Sequence, residues 1–252
     1  VIPISVIVIT KNEERNIDDC LKSVTWANEI IVVDSDSSDS TVEKARQYTT
    51  QVLNHEWKGF GEAKNFALSQ CKNEWALWID ADERVTPELQ REIMTSLDSI
   101  DSSVVAFRMP RLANFLGRWI YHCGWYPGYV VRLFKKSVAQ FSDDNVHEQL
   151  VLSHGTIGSL RSPLLHYTDP DLNHYFEKFN RYTSLAAADL ANKGAKFHHC
   201  SLVVHPLWTF IRMYILKLGF LDGREGFILS VLSAHYVFVK YAKFWEQLKK
   251  GE

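Results

Sequence analysis

Short β-branched runs, separated by amphipathic segments, dominate the first hundred residues. Positions 4–9 read Ile-Ser-Val-Ile-Val-Ile, too short for a helix and apolar on nearly every side. A strand buried on both faces of a parallel sheet has this character. Ile17, Cys20, Leu21 and Val24 then recur at helical spacing. A second buried run at 29–33 ends in Asp34, and Ser38 and Asp39 are candidate N-caps for a helix reaching Tyr48. A short strand near Val52, a helix over 63–69 and a strand over 75–79 follow, the last running straight into Asp80-Ala81-Asp82. Thr86 and Pro87 open another helix, with proline at its first position.

This alternation predicts an α/β fold, a mixed but mostly parallel sheet flanked by helices, with ligands at the carboxyl ends of the strands. The polar residues collect there: 11–13 after the first run, Asp34 after the second, Asp80 and Asp82 after the fourth. Beyond Val104 the pattern changes to strands at 104–109, 130–134 and 150–152. Leu172, Tyr175, Phe176, Phe179, Tyr182 and Thr183 then mark an amphipathic helix, and apolar stretches occupy 202–221 and 227–245.

Composition narrows the function classes. The chain has 252 residues, 46% hydrophobic and 23% charged, enough for a full globular core. Its 28 basic against 30 acidic residues leave a net charge of -2, without the basic excess of a nucleic-acid binder. Cys20, Cys71, Cys123 and Cys200 are scattered, which suits reduced thiols in a cytosolic protein better than a zinc site or a disulfide framework. The apolar run at 4–9 follows no basic leader, so a strand is expected there rather than a signal peptide.

Glycine usage excludes two phosphate-binding devices. No glycine precedes Gly59, so the turn after the first strand is neither a dinucleotide-binding fingerprint nor a P-loop. A nucleotide bound here must rely on carboxylates, hydroxyls and a metal. Residues two apart on an extended segment point the same way, although a bend at the strand end can send them to different partners. In Asp80-Ala81-Asp82, one carboxylate could then meet a ribose hydroxyl and the other ligate Mg2+ or Mn2+.

The motifs IVITKNEE at 7–14, IVVDSDSSDST at 31–41, Lys64-Asn65 and WIDADE at 78–83 resemble those of family 2 glycosyltransferases of the GT-A fold. Later segments resemble the branch that glucosylates the lipopolysaccharide inner core. They are WKGFG at 57–61, GWYP at 124–127, RLF at 132–134, FSDDNVHE at 141–148, LHY at 165–167, GFLDG at 219–223 and YAKFW at 241–245. Asp36 departs from the family, which often has glycine there.

The resemblance implies a catalytic domain at 1–195, with a nucleotide-binding half at 1–103 and an acceptor-binding half at 104–195, and a helical extension at 196–252. It implies a UDP-sugar donor, an inverting displacement and a heptose of the lipopolysaccharide core as acceptor. Thr10, Glu13 and Asp34 would line the uridine pocket, Lys64 lie near the nucleotide, Asp80 meet ribose and Asp82 hold the metal. His147 is a further metal or phosphate ligand candidate. Glu148 is the general base expected from the His-Glu pair, with Asp144 as the alternative. Arg132 is a candidate clamp for a phosphate or an acidic acceptor, or else a strand arginine pairing with a neighbouring carboxylate. Trp125 is a candidate sugar floor or a packing residue.

A lipid-linked acceptor implies a place on the cytoplasmic face of the membrane, peripheral and held at anionic headgroups, with Lys240, Lys243, Lys249 and Lys250 at the interface. A polyprenyl phosphate or protein acceptor is the alternative for an active enzyme, and a dead transferase fold serving as an interaction module is the non-enzymatic one.

Overall fold

The computed structural model describes residues 2–142 and 149–251. Strand and helix alternate through β1 (Ile4–Thr10), α1 (Ile17–Lys22), β2 (Glu29–Asp34), α2 (Thr41–Ala45) and β3 (Val52–Asn54). They continue through α3 (Phe60–Gln70), β4 (Trp75–Asp80), β5 (Glu83–Val85) and α4 (Pro87–Asp98). Strands then follow one another: β6 (Val104–Phe115), β7 (Arg118–Trp119), β8 (Gly128–Lys135), β9 (Ala139–Phe141), β10 (Leu150–Leu152), β11 (Thr156–Ser159) and β12 (Leu164–Asp169). Three long helical segments finish the chain: α5 (Leu172–Asn192), α6 (Val204–Phe210), continued as a π-helical stretch over Ile211–Leu216, and α7 (Gly223–Gly251).

The main sheet runs β3-β2-β1-β4-β8-β6-β12-β5, with β7 and β11 pairing to β6. Its first four strands are parallel, β8 is antiparallel to β4, and β12 is antiparallel to β5. Alternation along β1 shows why the run had to be apolar throughout. Val6 and Val8 pack in a core cluster with Ile17, Cys20 and Leu21 of α1 and with Leu89, Ile93 and Leu97 of α4. Ile7 packs on the other face with Ala67 and Leu68 of α3 and with Phe134. A strand covered on both faces has no position left for a polar side chain unless that side chain is fully bonded. Thr86 caps α4 as expected, its hydroxyl accepting from the Leu89 N–H at 3.1 Å.

Some boundaries differ from the sequence expectation. The helix expected to reach Tyr48 ends at Ala45, after which tight turns carry Gln47 and Tyr48. The N-cap of α2 is Ser40, without a side-chain cap, rather than Ser38 or Asp39, although Asp39 accepts from the Thr41 N–H at 3.0 Å. β6 runs on through Pro110 to Phe115, where the apolar run had suggested a stop at Met109.

Compactness divides the chain into two units: Val1–Arg111 with Tyr129–His166, and Leu112–Gly128 with Tyr167–Glu252. The sequence suggested a division at residue 195. Instead α5 is a partner of α7 within the second unit, where Phe179 stacks on His235 at 5.3 Å. Lys243 Nζ also donates to the Asn180 carbonyl and to the Thr183 and Ser184 hydroxyls. In the same unit buried Asp222 accepts from the N–H groups of Tyr121 and His122 and pairs with the His122 ring. Gly219 and Gly226 permit this packing. A Cβ on Gly219 would lie 2.7 Å from Cys123 Sγ, and one on Gly226 would lie 2.1 Å from the Gly219 carbonyl oxygen. No helix among the described residues is long and apolar enough to cross a membrane.

Buried Glu29 fastens the amino-terminal end of the parallel strands. It accepts from Ser5 Oγ at 2.6 Å, the Lys72 N–H at 2.9 Å and Gln51 Nε2 at 3.1 Å. Burial alone would raise its pKa, but these hydrogen bonds outweigh it and hold the carboxyl below its ordinary value. Such a carboxylate stabilises the fold above its unfolded pKa and loses that contribution as pH falls through the folded one. Glu29→Gln should therefore lose about 1–3 kcal/mol at pH 7, with the deficit shrinking on acidification toward roughly pH 3–4. Urea denaturation across that range checks this; a deficit independent of pH would contradict it.

Candidate functional site

Parallel register sets the strand ends side by side. Thr10 lies opposite Asp34, Asn54 lies opposite Asp34 on its other side, and Asp80 lies opposite Ile9. The turn after β1 is stitched to the turn after β2. Asn12 donates its N–H to Ser37 Oγ and accepts from the Ser38 N–H, both at 2.8 Å, and the Glu13 N–H reaches Thr41 Oγ1 at 2.8 Å. Asp36 has φ +56, the left-handed conformation that favours glycine, and its carboxylate accepts from Asn54 Nδ2 at 2.8 Å. The departure from the family's glycine is thus accommodated by a residue that tolerates this backbone. Asp34 stays in place, both carboxylate oxygens accepting from Ser37, one from its N–H at 2.8 Å and one from its hydroxyl. The Glu13 carboxylate accepts from Asn16 Nδ2 at 2.8 Å.

The two aspartates after β4 turn to different partners. Asp80 Oδ2 accepts from Arg132 Nη2 at 2.6 Å, whereas Asp82 Oδ2 lies 3.2 Å from His166 Nε2. Glu83, fully buried, accepts from the same Arg132 nitrogen at 2.7 Å through Oε1 and from the Asp80 N–H at 3.0 Å through Oε2. One guanidinium therefore serves two carboxylates, and it lies 3.7 Å from the centre of the Trp78 ring. Burial pushes the Glu83 carboxyl upward in pKa, with Arg132 opposing. Burial would loosen the Arg132 proton, but Asp80 and Glu83 hold it more firmly than usual. Buried Lys64 places Nζ 3.7 Å from the Trp78 ring centre.

Four buried polar atoms in this region have no hydrogen-bond partner among the described residues: Thr10 Oγ1, Ser35 Oγ, Trp78 Nε1 and Arg132 Nε. They belong to β1, β4 and β8, which are adjacent in the sheet, and to the residue after β2. Native interiors satisfy nearly all such groups, so each of these atoms is open to a bond from an outside partner. The donor set also suits a hard divalent cation. Asp80 and Asp82 keep 39% and 20% of their side chains exposed, and Mg2+ takes one or two protein carboxylates completed by substrate phosphates and water. Among the described residues no group of three or more His, Cys, Asp or Glu could hold an ion unaided.

The structure thus gathers Thr10, Asp34, Asp80, Asp82, Lys64 and Arg132 within the first unit, with Glu13 in the turn that follows Thr10. Arg132 takes the carboxylate-pairing alternative. Trp125 belongs to the second unit, where it meets Phe115 edge-on at 6.2 Å. Glu148, Asp144 and His147 lie outside the described residues. Sequence reasoning passed over Glu83, Trp78 and His166 as site residues. Glu83 and Trp78 were legible in principle, as an acid and an aromatic flanking the two aspartates inside a buried run. His166 lies 84 positions from Asp82, and no spacing rule joins them.

An α/β frame whose parallel strands end in converging carboxylates, without a glycine-rich phosphate loop, is the build of a sugar transferase of the GT-A type. Residues 5–148 match the family model described as Glycosyl transferase family 2, and the chain belongs to that family. An uncharacterised glycosyltransferase of Rickettsia typhi is 32% identical across 96% of this chain and 87% of its own length. The lipopolysaccharide core biosynthesis glycosyltransferase LpsC of Rhizobium meliloti is 29% identical across 98% of this chain and 93% of its own. A mannosyltransferase of Pyrobaculum calidifontis, solved with GDP-Man and Mn2+, shares the fold with a TM-score of 0.58 at 16% identity. That likeness covers 97% of this chain and 88% of the other.

Removing the shared guanidinium should expose its structural role. Among the described residues, Arg132→Met leaves buried Glu83 with only the longer ion pair to Arg111, at 3.6 Å, and should cost about 3–5 kcal/mol. Adding Glu83→Gln should recover part of the loss, because the poorly paired charge is gone. Denaturant unfolding of the single and double variants measures both, and a double variant no more stable than Arg132→Met would refute the pairing argument.

Proposed function

We propose that the protein transfers glucose from UDP-glucose, with inversion, to a heptose of the lipopolysaccharide inner core at the cytoplasmic face of the membrane. The observation that carries this reading is the convergence of Thr10, Asp34 and Asp80 at one sheet edge beside unpaired buried polar atoms. Ser37 holds the Asp34 carboxylate before any ligand arrives. A fixed acceptor aimed at the uracil N–H loses little freedom on binding. Thr10 and Glu13 would complete the uridine pocket, Lys64 would face the nucleotide, and Asp80, steadied by Arg132, would accept from a ribose hydroxyl through Oδ1.

Asp82, with His147, would hold Mg2+ or Mn2+. When bound, the cation neutralises charge that develops on the departing diphosphate. Glu148, or Asp144 in its place, takes the proton from the acceptor hydroxyl. The hydroxyl oxygen bonds to the anomeric carbon on the face opposite the diphosphate, and the sugar–diphosphate bond breaks with its electron pair leaving on that group. Arg132, already committed to two carboxylates, is assigned to positioning rather than to an acidic acceptor. The acceptor assignment is supported by the inner-core-like motifs and by the place of the Rhizobium relative in lipopolysaccharide core biosynthesis. Those motifs also favour UDP over GDP, since the archaeal mannosyltransferase resembles this chain in fold alone.

Calorimetry should find UDP bound more tightly than GDP in the presence of Mn2+. Asp34→Asn should weaken UDP by about ten- to a hundredfold, as expected for one charge-assisted hydrogen bond. Equal affinities for the two nucleotides, or an unaffected Asp34→Asn variant, would overturn the pocket assignment.

Turnover should require a divalent cation, and Asp82→Asn should abolish most of it with the melting temperature preserved. Glu148→Gln should slow transfer by roughly 10²–10⁴-fold at unchanged donor affinity. Full activity in excess chelator would refute the metal role. If Asp144→Asn showed the slow phenotype and Glu148→Gln did not, the base would be Asp144.

A further inference from the structure

The second unit exposes an apolar surface along α6 and the turn that follows it. Val204, Leu207 and Trp208 share one side of α6, and Ile215, Leu216 and Phe220 extend the surface into the turn before α7. These six side chains are between 47% and 57% exposed. Apolar residues so crowded and so open in one short segment are unlike the scattered exposure of an ordinary surface. Aromatic contacts hold the segment together: Phe210 stacks on Tyr214 at 5.3 Å, and Tyr214 meets Phe227 at 5.4 Å and Phe220 at 6.2 Å. The surface is therefore built from α6, the turn and the start of α7 together.

Along α6 and the turn its charge is positive, and the first acid beyond Asp222 is Glu225, in the first turn of α7 and next to Arg224 in sequence. Between Asp189 and Asp222 the chain carries Lys193, Lys196, Arg212 and Lys217 and no acid, and Asp222 itself is buried against His122. Arg212 and Lys217 also line a cavity of about 410 Å3 together with Thr209, Trp125, Tyr175 and Tyr236. None of the residues lining that cavity is acidic. Neither Arg212 nor Lys217 makes an ion pair among the described residues. A second copy of the chain would bring the same positive charge to the surface. An anionic bilayer supplies both an apolar phase and the opposite charge.

We propose that the second unit docks on an anionic lipid surface through this face, with its apolar side chains in the acyl boundary and Arg212 and Lys217 on lipid phosphate. The inference deepens the proposed function, resting on its membrane-borne acceptor, and it moves the contact away from the terminal lysines. Lys243 is spent on Asn180, Thr183 and Ser184 within the fold. Lys240 lies over Tyr241 and Lys249 over Trp245.

Co-sedimentation of the full chain with phosphatidylcholine vesicles, with and without phosphatidylglycerol, tests this. The parent should pellet with the anionic vesicles, and added salt should release it. Trp208→Ser with Leu216→Ser should weaken binding by roughly tenfold or more. Arg212→Gln with Lys217→Gln should weaken it by about 25-fold, about fivefold for each charge. Lys240→Gln with Lys249→Gln should leave it within about twofold of the parent. UDP calorimetry and melting temperature on the same samples report the first unit and the fold separately. UDP binding without vesicle binding overturns the inference alone, and vesicle binding without UDP binding overturns the proposed donor alone. The docking face is also refuted if the serine variant pellets like the parent or if the terminal-lysine variant releases the protein. A parent that ignores vesicles but self-associates, and becomes monomeric in the serine variant, would make a second copy the occupant instead.

Discussion

Much of the first unit depends on a buried guanidinium shared by two carboxylates. Arg132, in β8, reaches Asp80 at the end of β4 and Glu83 at the start of β5 with one nitrogen, at 2.6 and 2.7 Å. Without it the sheet would carry a buried carboxylate beside the very residues proposed to meet ribose and metal. Glu83 in turn accepts the Asp80 N–H, fixing the backbone where the strand turns into the aspartate pair. The charge cluster therefore gives the turn its shape, and the stacked Trp78 ring covers the cation. An arrangement of this kind is costly to bury and costly to break, which favours one geometry over its neighbours.

The register of the parallel strands does the remaining positioning. Because Thr10, Asp34 and Asp80 end their strands almost level, a ligand at that edge meets three elements at once. The adjoining turns are held by hydrogen bonds between Asn12, Ser37 and Ser38 rather than by glycine-rich phosphate loops. Asp36 shows how such a turn tolerates substitution, since an aspartate bonded to Asn54 adopts the left-handed backbone that a glycine would otherwise supply. The strand ends thereby present carboxylate acceptors together with the donors Trp78 Nε1 and Arg132 Nε.

The second unit obeys a different constraint. Gly219 and Gly226 let two backbones approach so closely that a methyl group would collide, and Asp222 pins the turn between them to residues 121 and 122. Close packing on the inner side forces the bulky residues of the same segment outward. The motif GFLDG thus has a structural reason in its glycines and its aspartate, whereas Phe220 and Leu221 are left facing out. That contrast between a tightly fitted inner side and an apolar outer side sets this segment apart from an ordinary amphipathic helix.

Local pattern alone was enough for the α/β class, the succession of β1 to β4 along the chain, the capped start of α4 and the placing of acids at strand ends, but not for β5. Each of these follows from side-chain period and backbone preference within a few residues, which a sequence displays directly. Tertiary structure decided what depends on distant partners. Asp82 meets His166 and Glu83 meets Arg132 only because β5, β12 and β8 are brought together by the sheet. It also decided that Lys243 is an internal tie and that the exposed apolar face lies on α6 and its following turn. Hydrophobic runs look alike in sequence whether they are covered or open, because covering is a property of the partner and not of the run. The same physics explains the long β6 and the short α2, whose ends are set by neighbouring elements rather than by their own residues.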